Sequence, residues 1–172
     1  AATMDNVARR DITRAMADRR DIVIAGGGLA GSLAALALDR LGLSVTLVDA
    51  LPPGSQTIEG FDGRSYAMAL ASVRMLQALD LWGALEDDAQ PILEIKASDG
   101  RAGEGASPFF LHFDHTEIEE GPMGHIIEDR HLRVALAEAL SRTDVSVLPG
   151  RSVVAQEIDV GVRVALDDGS RV

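Results

Sequence analysis

The sequence predicts an α/β fold, and three neighbouring stretches carry that prediction. Asp21 to Ala25 reads Asp-Ile-Val-Ile-Ala, a short β-branched run that stops at Gly26-Gly27-Gly28. A run so apolar has the composition of a parallel strand buried on both faces. Ser32 to Leu41 is rich in Ala and Leu, contains no Gly or Pro, and reads as a helix packed on a sheet. Gly42 closes that helix, and Ser44 to Val48 is a second apolar strand ending at Asp49. Together they form a strand–helix–strand unit of about thirty residues, the smallest dinucleotide-binding crossover.

The elements that follow are read in the same way. Pro52, Pro53, Gly54, Gly60 and Gly63 make a loop of 51–63. A helix is expected from Ser72 to Asp80, with Val73, Leu76 and Leu79 on one face, and Pro91 ends the apolar pattern beyond it. Ile92–Ala97 and Phe109–Phe113 alternate like antiparallel strands around a Gly-rich stretch. Helical spacing returns from His131 to Ser141, with Asp129 as the expected N-cap, and Val145–Leu148 is a further short strand. The last stretch alternates on both sides of Asp167-Asp168-Gly169, a hairpin whose turn favours positive φ.

Composition removes several function classes. The 172 residues contain no Cys, which excludes disulfides, thiolate zinc sites and iron–sulfur clusters. A net charge of −11 leaves no basic face for nucleic acid. The first twenty residues are richer in Arg, but Asp5, Asp11 and Asp18 interrupt them, and no apolar run there resembles a signal peptide. No stretch is long and apolar enough to span a bilayer. A cytoplasmic chain is expected, in contact with a membrane surface at most.

The motif that carries chemistry is Gly26-Gly27-Gly28-Leu29-Ala30-Gly31, a G-x-G-x-x-G fingerprint. Gly26 permits the tight turn out of the strand, Gly28 lets the backbone approach a pyrophosphate, and Gly31 lets the helix lie close. A pyrophosphate there meets the N-terminal N–H groups of a helix, where the macrodipole favours negative charge. Asp49, roughly twenty residues on, accepts from ribose hydroxyls and repels a ribose phosphate, so NADP is disfavoured at this site. The fingerprint does not choose between FAD and NAD.

Two further segments carry a resemblance. Phe61-Asp62-Gly63-Arg64-Ser65-Tyr66-Ala67-Met68-Ala69-Leu70 resembles the second characteristic segment of the class A flavin-dependent aromatic monooxygenases. Gly124-His125-Ile126-Ile127-Glu128-Asp129-Arg130, followed by Leu132, resembles their third. Within that superfamily the texture is most similar to the hydroxylases of ubiquinone biosynthesis, the octaprenyl-methoxyphenol hydroxylase group. The resemblance implies a Rossmann-like FAD-binding domain and a β-rich insertion that begins a substrate domain. It divides the chain into an extension at 1–20, a core at 21–91, an excursion at 92–127 and a return at 128–172.

By position, the resemblance puts Arg64 at the FAD phosphates or ribityl chain, Arg130 near the ribose and pyrophosphate, and the Val153 backbone at adenine. It implies NADPH or NADH as transient donor, dioxygen as oxidant, and a small aromatic substrate that can be polyprenylated. The superfamily also carries an Asp-Gly pair after the hairpin and a later Gly-Asp motif. Neither is present, so the chain is expected to be an N-terminal portion. Other class A hydroxylases, acting on an aromatic acid or a kynurenine-like ring, are the alternative. So is a non-catalytic FAD- or NAD-binding module.

The remaining polar clusters are read blandly. His112 and His115 fall on opposite faces of a strand and are not taken as metal ligands. His125 is a neighbour of the flavin only by resemblance. No catalytic acid or base is assigned.

Overall fold

A computed structural model describes residues 19–52, 54–55, 60–103, 105–117 and 120–172. The expected extension lies outside these residues up to position 18. The chain forms two compact units, one from the residues before 57 together with 136–172, the other from 57–135.

In the first unit β1 (Ile22–Ala25) pairs parallel with β2 (Val45–Asp49), and β2 pairs parallel with β8 (Ser146–Pro149). The crossover between β1 and β2 is helix α1 (Leu29–Arg40). β2 is central, and Val45, Thr46, Leu47 and Val48 are all buried. Ala35, Val45, Leu47 and Val145 form one core cluster, with Ile24, Leu38, Leu43 and Leu140 packed against it. β1 was expected to be buried on both faces and is only partly so, because it lies at the sheet edge.

The end of the chain contains two turns. β9 (Val153–Ile158) and β10 (Val162–Leu166) pair antiparallel around a turn at 159–161. The expected turn at Asp167-Asp168-Gly169 also forms, and returns the chain so that Val164 and Val172 exchange backbone hydrogen bonds of 2.8 and 2.9 Å. The expected single hairpin is thus a three-segment meander, since alternation alone does not mark Asp159-Val160-Gly161 as a turn.

In the second unit β7 (Gly124–Glu128) is the centre of an antiparallel sheet between β3 (Ser65–Ala69) and β4 (Gln90–Ile92). Helix α2 (Leu70–Ala78) leaves β3 directly and buries Val73 and Leu76. β5 (Glu94–Arg101) and β6 (Gly105–Asp114) form a separate antiparallel ribbon. This unit begins well before residue 92, the expected start of the excursion. The reason is physical: β3 finds its hydrogen-bond partners in β7, some sixty residues later, so 65–69 join that sheet.

Helix α3 (Asp129–Leu140) follows β7 without a loop. Asp129 does not cap it. It is the first residue of the helix, and its carboxylate is taken by charged and phenolic side chains, stronger donors than a backbone N–H.

Candidate cofactor-binding site

The glycine turn joins β1 to α1, and each of its glycines has a separate reason to be there. Gly26 has φ +109°, which an L side chain rarely adopts, and its N–H donates to the Val48 carbonyl oxygen at 2.7 Å. At Gly31 an added Cβ would meet the Gly26 carbonyl oxygen at 1.9 Å, so helix and strand touch. At Gly27 a Cβ would meet Asp49 Oδ2 at 2.6 Å. The G-x-G-x-x-G spacing assigns Gly27 no role, because its crowding comes from a carboxylate twenty-two residues away.

Gly28 differs from these three. Its backbone, at φ −68° and ψ −174°, suits any residue, and a Cβ there would have nothing within 4 Å. Among the described residues nothing requires glycine at 28. An anion brought against the backbone does, and the local chemistry fits one. Gly28 caps α1 without a side-chain hydrogen bond, and no acidic residue stands in the first turn, so Leu29, Ala30 and Gly31 present a positive helix end. Ser32 turns inward, its hydroxyl donating to the Gly27 carbonyl oxygen at 3.1 Å.

Asp49 ends β2 with its side chain half-exposed, and Oδ1 accepts from the Leu51 N–H at 3.1 Å. Its carbonyl oxygen accepts from the Arg151 N–H at 2.9 Å. This bond ties the carboxylate's strand to the segment that enters β9 at Val153, a residue 37% exposed. The cradle, Asp49 and Val153 therefore belong to one unit and one bonded framework.

Arg64 and Arg130 belong to the second unit. Arg64 Nε donates to Asp62 Oδ2 at 2.7 Å, and its Nη2 lies 3.1 Å from Asp129 Oδ2. Arg130 Nε donates to Glu128 Oε2 at 2.6 Å, with both side chains about a third exposed. Asp129 also accepts from the Tyr66 hydroxyl at 2.8 Å and from Arg133 Nε at 2.5 Å. Burial opposes ionisation of Asp129, but the Arg133 and Tyr66 hydrogen bonds and the Arg64 charge together hold its carboxyl below the usual carboxylate range. The same bond to Asp129, helped by burial, pushes the Tyr66 phenol up. Nothing in the sequence pattern marked Asp129 as the centre of this cluster, since its partners come from three separate positions.

His125 packs edge-on against Trp82, ring centroids 4.9 Å apart, and its Nδ1 is buried without a hydrogen-bond partner among the described residues. On the β5–β6 ribbon, Glu94, His112 and Asp114 bring ligand atoms within 4.8 Å of one another. Lys96 Nζ already lies 2.7 Å from Glu94, and the Thr116 N–H and hydroxyl both donate to Asp114. His115 falls in a 3₁₀ turn after the strand, its Nδ1 3.1 Å from the Leu93 carbonyl oxygen.

Fold and cradle together define an α/β dinucleotide-binding protein of the Rossmann-like kind. Residues 19–168 match the FAD binding domain family, and the chain belongs to that family. The ubiquinone hydroxylase UbiL of Rhodospirillum rubrum is 40% identical over 154 residues, covering 88% of this chain and 34% of its own length. The ubiquinone hydroxylase UbiM of Neisseria meningitidis is 32% identical, covering 87% of this chain and 33% of its own. The chain thus spans about a third of the length of the curated relatives it matches. Among solved structures, a 2-methyl-3-hydroxypyridine-5-carboxylic acid oxygenase superposes with a TM-score of 0.66 at 21% identity, covering 90% of this chain and 37% of its own; this likeness concerns the fold alone. No helix among the described residues is long and apolar enough to cross a membrane.

Proposed function

We propose that this chain is the FAD-binding part of a flavin-dependent monooxygenase that hydroxylates an aromatic ring with NADPH or NADH and dioxygen, in ubiquinone biosynthesis. The observation that carries the reading is Gly28, a glycine that no contact among the described residues requires, at the N-terminus of α1 where no side chain caps the helix. The 40% identity to a ubiquinone hydroxylase supports the reaction class.

FAD, when bound, supplies the redox and oxygen chemistry, and the protein's share is to bind, orient and exclude water. Gly28, Leu29, Ala30 and Gly31 take the pyrophosphate on backbone N–H groups, and Gly26, whose own N–H is bonded to Val48, makes the turn that lets the pyrophosphate in. Asp49 accepts from the ribose hydroxyls, and the Val153 backbone meets adenine. Arg64 and Arg130 donate to the phosphates and sugar, where delocalised cations suit a dianion. The substrate is a phenolic quinone precursor bearing a polyprenyl chain, which brings the protein to a membrane surface from the cytoplasm.

The test is a visible absorption spectrum of the chain after incubation with FAD and desalting. Retained flavin bands support the reading. Retention of NADH without flavin would replace it with a nicotinamide-binding module. A spectral shift of bound flavin by an aromatic acid, and not by a prenylated phenol, would move the reading to another hydroxylase.

A further inference from the structure

We propose that Asp129 is a positioning residue that fixes the direction in which Arg64 presents its guanidinium to FAD. The inference rests on the reading that Arg64 meets that cofactor. Arg64 is attached to Asp129 twice: the Asp129 N–H donates to the Arg64 carbonyl oxygen at 3.1 Å, and Asp129 Oδ2 lies 3.1 Å from Arg64 Nη2. A guanidinium has five N–H groups. Nε and Nη2 face the carboxylates of Asp62 and Asp129, which leaves the Nη1 end of a half-exposed side chain for a ligand.

The two carboxylates are not equivalent. Asp62 stands two residues from Arg64 in the same exposed segment, so it moves with that segment. Asp129 is 2% exposed and is itself held by Tyr66 from β3 and Arg133 from α3. It therefore refers the Arg64 side chain to the sheet. An arginine held in one rotamer beforehand loses less conformational freedom when it binds.

This role makes a prediction opposite in sign to a purely electrostatic one. If Asp129 served only as a counter-charge, neutralising it would leave Arg64 more positive and FAD would bind more tightly. Positioning predicts weaker binding. FAD affinity is measured by fluorescence titration for the parent chain, Arg64→Ala, Asp129→Asn and the double variant, with circular dichroism to verify folding. Each single variant should weaken FAD binding roughly tenfold. The double should be no weaker than Arg64→Ala, because two residues acting through one contact are not additive.

Tighter binding by Asp129→Asn, or a fully additive double variant, overturns the positioning role and leaves the Arg64 contact standing. Unchanged affinity in Arg64→Ala, or a parent chain that binds no FAD, overturns the cofactor contact and this inference with it. Tyr66→Phe removes one donor from Asp129 without exposing a charge, and decides the matter if Asp129→Asn does not fold. It should weaken binding about threefold in the parent background and not at all beside Arg64→Ala.

Discussion

The Asp49 side chain fills the space that a side chain on Gly27 would need: a Cβ at residue 27 would lie 2.6 Å from Oδ2 and 3.0 Å from the Asp49 Cβ. The turn after β1 and the end of β2 therefore share one packed contact, and the carboxylate's position depends on the absence of a side chain at 27. Gly27→Ala should displace Asp49 and weaken FAD binding at least tenfold, while costing about 1–3 kcal/mol of stability. Fluorescence titration and urea unfolding read the two effects separately. Unaltered affinity would mean that the carboxylate has no part in holding the cofactor.

Asp49 itself supplies a companion test. Asp49→Ala removes the acceptor but leaves Gly27 and the helix end intact, so FAD should bind roughly tenfold more weakly with little loss of stability. Replacing Asp49 also removes the charge that opposes a ribose phosphate. The ratio of NADP to NAD affinity, wherever nicotinamide binding is detectable, should move toward NADP.

Gly31→Ala acts through packing. The new methyl would lie 1.9 Å from the Gly26 carbonyl oxygen and 3.4 Å from Ile24 Cγ2. A backbone oxygen cannot swing aside as a side-chain tip does, so helix α1 must lift from β1. A loss of about 2–3 kcal/mol is expected from the urea midpoint, with FAD binding falling as the cradle opens. A fully stable variant would contradict the observed closeness of helix and strand.

The Asp129–Tyr66 pair predicts a pH window. The folded pKa of Asp129 is lowered, so its stabilisation is complete above the unfolded value near 3.9 and is lost as pH falls through the lower folded value. The folded pKa of Tyr66 is raised, so its contribution is complete below about 10 and is lost as pH rises through the higher folded value. Asp21, Asp62, Asp114 and Asp168 are also lowered, and their share of the acid limb stays in an Asp129→Asn variant. Chemical unfolding from pH 2.5 to 7 should therefore fall less steeply for Asp129→Asn than for the parent. Equal acid limbs would show that the carboxylate is not held in its charged form.

Much of the architecture was open to reading because its causes are local. Ile22–Ala25, Leu29–Arg40 and Val45–Asp49 were recognisable from apolar runs and glycine breaks, and the helices near 70–78 and 129–140 from their spacing. The turn at 159–161 was missed because Asp159-Val160-Gly161 keeps the alternation, with Val160 in step with Ile158 and Val162. The pairing of Tyr66 with Ile127 in β3 and β7 was missed for a different reason. Strand register between distant segments is written in hydrogen bonds that no single segment contains.

For the candidate site the division is similar. The amino-acid sequence by itself determined the glycine turn, since a tight exit from β1 and a close helix each require glycine at a fixed spacing. It determined the FAD binding domain family as well, through three motifs in order. Only the tertiary structure decided that Gly27 faces Asp49, that β1 lies at a sheet edge, and that Asp129 gathers Tyr66, Arg64 and Arg133 instead of capping its helix. Backbone conformation answers to neighbours in the chain, whereas the partner of a side chain is chosen by whatever the completed fold brings within 3 Å.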